Sequence, residues 1–89
     1  MYPYKISDNL KRILKKISRK DKRLYENILS KIEEVSKSES VEHYKNLRYD
    51  LKEYKRVHVG SFVLVFRYEK KENLIFFEDF DHHDKIYKR

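Results

Sequence analysis

Residues 54–80 read YKRVHVGSFVLVFRYEKKENLIFFEDF, and three strand-like runs follow one another in them. The first is 54–59, where polar and apolar residues alternate. A tight turn at Gly60-Ser61 leads into 62–68 (Phe62, Val63, Leu64, Val65, Phe66, Arg67, Tyr68), the strongest strand signal in the chain. A charged turn from Glu69 to Asn73 then opens the third run, 74–80. Runs this close together on short turns make an antiparallel meander. The two inner strands are apolar at both parities, so both faces of their sheet need cover.

On the N-terminal side the pattern changes from a period of two to a helical one. Residues 2–6 read as a short strand, with Pro3 confined to its start or an edge. Ser7 and Asp8 offer helix N-caps. Leu10, Ile13, Leu14 and Ile17 then share one helical face, opposite Lys11, Arg12, Lys15 and Lys16. The stretch from Ser18 to Asp21 is expected to break this helix and cap a second one, running from about Asp21 to Lys37. Its apolar stripe is Leu24, Tyr25, Ile28, Leu29, Ile32 and Val35. The polar residues 36–40 end it as a loop. The expected fold is one α+β domain over 1–89: strand, helical hairpin, three-stranded meander and short tail. The helices cover one sheet face, and the tail or a partner covers part of the other.

Composition narrows the function. In 89 residues there are 22 Lys plus Arg against 15 Asp plus Glu, a net charge of +7, which favours polyanionic partners. Aromatic residues make up 15% of the chain and Gly and Pro occur once each, which argues for a packed core over disorder. The absence of cysteine excludes a disulfide scaffold, a thiolate zinc site and a Cys nucleophile, and fits the cytoplasm. No apolar run approaches the roughly 20 residues that cross a bilayer, and the N-terminus does not read as a secretory signal. A single glycine leaves no phosphate-binding glycine loop.

Three constellations carry possible chemistry. Between Lys11 and Arg23 there are eight Lys or Arg and one acid, Asp21; this is either a solvated helical face or a footprint for a phosphate backbone. On the first meander strand, alternation sends Val57 and Val59 toward the helices and Tyr54, Arg56 and His58 to the opposite face. A cation, an imidazole and a phenol suit RNA, although ordinary polar decoration would look the same. The tail from Asp81 to Arg89 contains His82 and His83 without metal-ligand spacing, so acid–base chemistry is the better use of an imidazole there. His43 stands outside all three groups and reads as a surface residue.

The element order, together with Lys45-Asn46-Leu47-Arg48, the run from Tyr54 to Phe66 and the tail from His82 to Tyr87, resembles the RelE/ParE superfamily of toxins from type II toxin–antitoxin systems. Where the best-studied RelE pattern has arginines, this chain reads Phe62-Val63-Leu64 and His83. The residues Tyr54 to Val59 and the spacing of His83 to Tyr87 resemble instead the YafQ-like subgroup, which uses histidines. The resemblance implies a ribosome-dependent endoribonuclease needing no metal or other cofactor, in which a ribose 2′-hydroxyl attacks its own phosphate. His58 and His83 become acid and base candidates, Arg56 a phosphate ligand at the reaction and Tyr87 the tail aromatic. Lys45, Arg48, Lys55, Arg67 and Lys85 become RNA-binding residues, although a second register matches Lys55 to a catalytic lysine. Lys11, Arg12, Lys15, Lys16, Arg19 and Lys20 would dock on the ribosome. The implied partners are mRNA, the ribosome and an acidic RelB-type antitoxin in a hetero-oligomer, with no membrane. Two rivals share the fold: a ParE-like toxin that inhibits a topoisomerase, and an inactive RNA-binding module.

Overall fold

A computed structural model describes residues 1–47 and 53–86; Arg48 and Tyr87, two of the expected site residues, lie outside them. Strand β1 (Tyr4–Ile6) leads into helices α1 (Asp8–Lys20) and α2 (Lys22–Ser36). A short 3-10 turn (Val41–His43) follows, then β2 (Lys55–Val59), β3 (Phe62–Glu69) and β4 (Leu74–His82). The sheet order is β1-β4-β3-β2, with β1 parallel to β4 and the meander antiparallel. This is the expected α+β arrangement.

The helical hairpin is tighter than its sequence suggests. Ser18 to Lys20 are helical, not a break, because the Ser18 hydroxyl bonds back to the Lys15 carbonyl at 2.7 Å and leaves the turn intact. Asp21 alone separates the helices. Its N–H still donates to the Ile17 carbonyl while its carboxylate accepts from the Leu24 N–H at 3.0 Å. The stripe of α2 also needs one correction: Leu29 is exposed, because the buried line runs through Ile28, Ile32 and Val35. At the N-terminus, β1 begins at Tyr4, not residue 2. Pro3 has no N–H to give and joins the sheet only through its carbonyl, which accepts from Ile75 N–H at 3.0 Å.

The main core lies between the helices and one sheet face. Leu10, Leu14, Ile28, Ile32 and Val35 meet Val59, Leu64, Phe66, Ile75, Phe77 and Phe80, with Val57 packed against them. Phe77 and Phe80 are three residues apart, yet both reach this core. The register slips between Val65 and Phe66, pairing Val65 with Asp79 and Phe66 with Phe77, so the bulge absorbs Glu78. On the other face Val63 and Val65 are covered by Leu47 and by Ile86 of the tail, with Tyr54 alongside. The tail thus supplies cover for the second face. Strand β4 also runs two residues past the expected end, because Asp81 and His82 pair with Val63 and Phe62.

Ser7 ties these layers together. Its hydroxyl accepts from Leu10 N–H at 3.0 Å as the α1 cap and donates to the Glu78 carbonyl at 2.8 Å. Ser7→Ala removes both bonds and is expected to lower unfolding stability by about 1–2 kcal/mol, read as a shift of the urea midpoint at unchanged slope.

Candidate nucleic-acid interface

The site is built at one end of the β2–β3 hairpin. Gly60 turns the chain with φ +63°, a conformation a side chain resists, so Val59 pairs with Phe62 and His58 with Val63 across a tight loop. The Ser61 carbonyl then accepts from the His83 N–H at 3.1 Å and anchors the tail to the hairpin. The His58 and His83 rings consequently stack, with centroids 5.6 Å apart and planes at 25°. His83 Nδ1 lies 3.6 Å from an Asp84 oxygen, while His82 turns to Asp84 at 4.0 Å and sets its ring edge-on to Phe62. Both histidines are about half exposed, so these contacts to Asp84 add little to the stability of the fold.

The outer edge of β2 is organised by Lys55. Its ammonium donates to the carbonyls of Glu42 and Tyr44 at 3.3 and 3.1 Å and to Asn46 Oδ1 at 3.0 Å. Two backbone bonds complete the attachment: Leu47 N–H to the Tyr54 carbonyl and Arg56 N–H to the Lys45 carbonyl. Residues 44–47 are thereby held along β2, opening a cleft of about 360 Å³ lined by His43, Tyr44, Lys45, Arg56, Val57 and His58. Arg56 Nε is buried there without a hydrogen-bond partner among the described residues. Burial first, and the nearby Glu34 carboxylate second, push the Tyr44 phenol above its ordinary pKa. The hydroxyl is therefore neutral at physiological pH.

The expected residues fall into separate groups. His58 and His83 are brought together, and Arg56 and Lys45 join His58 in the cleft. Lys55 is next door, but three oxygens already surround its ammonium. Arg67 lies over the Phe76 ring at 4.1 Å and bonds Glu69 at 3.3 Å. Lys85 is exposed just after His83. Lys11, Arg12, Lys15, Lys16, Arg19 and Lys20 are all exposed along α1, in the helix layer that covers the other face of the sheet. Among the described residues, no group of three His, Asp or Glu could hold a metal ion, and no helix is long and apolar enough to cross a membrane. Three cleft residues were not expected at the site: His43, read as a surface residue, Tyr44, and Val57, read as facing the helices. For His43 and Tyr44 the one hint in the sequence is their place just before Lys45.

The profile of the ParE toxin of the type II toxin–antitoxin system matches residues 4–87. The chain belongs to the RelE/ParE superfamily of type II toxins. It is 47% identical over its whole length to a Methanocaldococcus jannaschii protein named "Putative toxin RelE4", covering 94% of that protein. A Methanosarcina mazei protein without a functional name is 41% identical over 98% of this chain and all of its own length. The fold matches the toxin–antitoxin complex RelBE2 of Mycobacterium tuberculosis with a TM-score of 0.75, at 18% identity over 92% of this chain and 91% of that one. A Helicobacter pylori protein, HP0892, matches with a TM-score of 0.52, at 22% identity over 97% and 99%. At such identities the two structures speak for the fold of this toxin and not for its residues.

Replacing Lys55 separates support from chemistry. Lys55→Met strands two carbonyls and an amide oxygen, and is expected to lower stability by about 1–2 kcal/mol. Amide hydrogen exchange should rise at Leu47 and Arg56, the two donors that clamp residues 44–47 to β2.

Proposed function

We propose that this toxin is a ribosome-dependent mRNA endoribonuclease. The observation that carries the reading is the stacked pair of His58 and His83 at the mouth of a cationic cleft. Two imidazoles at one place, one neutral and one protonated, are what transesterification of RNA needs. The neutral ring takes the proton from a ribose 2′-hydroxyl as that oxygen attacks the adjoining phosphorus. Arg56 offers N–H donors to the charge building on the phosphoryl oxygens. The protonated ring gives its proton to the departing 5′-oxygen. The P–O5′ bond breaks as the new P–O bond forms, leaving a 2′,3′-cyclic phosphate and a 5′-hydroxyl. Every proton is handled by a side chain of the protein, so no metal or cofactor is required.

The remaining assignments follow the same reading. Lys45, Arg48, Lys55, Arg67 and Lys85 supply positive charge to the RNA path, Lys55 chiefly by shaping the cleft. Tyr87, four residues beyond His83, stacks on or orients the substrate. The exposed cations of α1, from Lys11 to Lys20, dock on ribosomal RNA, which places the protein at work in the cytoplasm. The fold partner from Mycobacterium tuberculosis is a toxin–antitoxin complex. That supports a RelB-type antitoxin for this chain too, acidic and partly disordered when free, in a hetero-oligomer with the toxin.

A second reading is favoured by one finding: the matching profile is that of the ParE toxin. A toxin of that branch would inhibit a topoisomerase and be indifferent to the two histidines.

One experiment divides these readings. Purified toxin is added to a defined message with and without ribosomes, and cuts are mapped by primer extension. His58→Ala and His83→Ala should each slow cleavage at least about 100-fold. An uncut message with translation intact would overturn the nuclease reading, and DNA supercoiling by gyrase would be the next assay.

A further inference from the structure

His83 takes no part in the walls of the β2 cleft, which run from His58 past Arg56 to Lys45 and His43. The geometry points to a second anion subsite here, in which His43, Lys45 and Arg56 hold the phosphodiester next to the one that His58 and His83 flank. This rests on the nuclease reading and adds a binding site to it.

His43 is prepared for the task by its partner. Its Nδ1 lies 3.1 Å from the Ser40 carbonyl oxygen. A carbonyl only accepts, so Nδ1 carries the hydrogen and Nε2 is the ring nitrogen left free. A proton taken up at Nε2 makes the ring a cation with a donor for a phosphate oxygen. Lys45 is exposed beside it. Arg56 lines the cleft, and beyond its buried Nε the guanidinium carries four terminal N–H donors, enough for two neighbouring phosphates. Lys55 contributes indirectly. By binding the carbonyls of Glu42 and Tyr44 it consumes acceptors that would otherwise repel an anion.

The charges around His43 agree with this sign. Lys45, Arg56 and His58 face the cleft. Glu39 lies on the other side of the ring, in the adjoining hollow with Ser38, Ser40 and Tyr44, and the Glu42 carboxylate turns to Lys70 at 4.0 Å. Tyr44 lines both hollows, keeps its proton and adds no charge, and the nearby Glu34 carboxylate is paired with Lys31 at 3.2 Å. A strand whose reacting phosphate sits at the histidine pair carries its neighbouring phosphate along β2 into this cleft.

The test is a double-mutant cycle between protein and RNA. The probe is a short synthetic message on ribosomes, with a 2′-deoxy nucleotide at the cleavage position so that it binds uncut. It is made with native phosphates, or with one uncharged methylphosphonate on the 5′ or the 3′ side of that position. H43N keeps a donor for the Ser40 carbonyl and deletes Nε2. It should weaken binding of the native probe about tenfold, and K45M should do the same. H43Q keeps an N–H near the Nε2 position and gives up the bond to Ser40, so it should lose less. Against one of the two methylphosphonate probes, the losses of H43N and K45M should shrink to within about twofold. Equal losses on every backbone, or a larger loss for H43Q than for H43N, would overturn the subsite. The nuclease reading fails by a different result: wild-type toxin that leaves the native message uncut.

Discussion

Burial of β3 on both faces is the constraint that the rest of the fold answers. Val63, Leu64, Val65 and Phe66 are all buried, although successive residues of a strand point to opposite sides. Leu64 and Phe66 are satisfied by the helical hairpin. Val63 and Val65 need a second cover, and it comes from Leu47 and Ile86, which lie 39 residues apart in the chain. Covering that second face therefore draws two distant segments onto the sheet. One leads from the 3-10 turn that bears His43, and the other is the tail that bears His83. The candidate site is assembled as a consequence of hiding two valines.

The edge of the sheet is handled with equal economy. An open edge strand exposes unpaired N–H and C=O groups, a standing invitation to unwanted pairing. Residues 44–47 close part of the β2 edge through the Asn46–Lys55 bridge and the bonds of Leu47 and Arg56. The same closure forms the cleft. A lysine held by two carbonyls and an amide oxygen is a structural brace, and here it is also the reason that the cleft faces an incoming ligand with donors. The nearby Arg56 is different: among the described residues its buried Nε has no hydrogen-bond partner, which is rare for a donor in a protein interior.

Much of the fold was legible in the sequence because its cause is local. The alternation in Tyr54 to Val59, the apolar run of β3 and the three-and-four spacing of α1 and α2 each state a period and a buried face. The misreadings are local as well. Ser18 looks like a helix breaker, but its hydroxyl bonds back to Lys15 and the helix continues. Leu29 looks like a core residue, but it sits just off the line that the sheet covers. The bulge at Glu78 left no mark in the pattern, since Phe77 and Phe80 reach one core only when a residue is looped out between them.

For the site, the residue types were readable and their grouping was not. Composition and alternation single out a basic chain with Arg56 and His58 on one side of a strand, and the resemblance adds His83. The sequence by itself thus determines the strands, the helices and the chemistry that each can carry. Only the tertiary structure decides that His58 stacks on His83, that Lys55 is spent on three oxygens, and that His43 stands beside Arg56. Those neighbours depend on contacts across the sheet and the chain. Periodicity reports which face a residue occupies, and it says nothing about what is packed against that face.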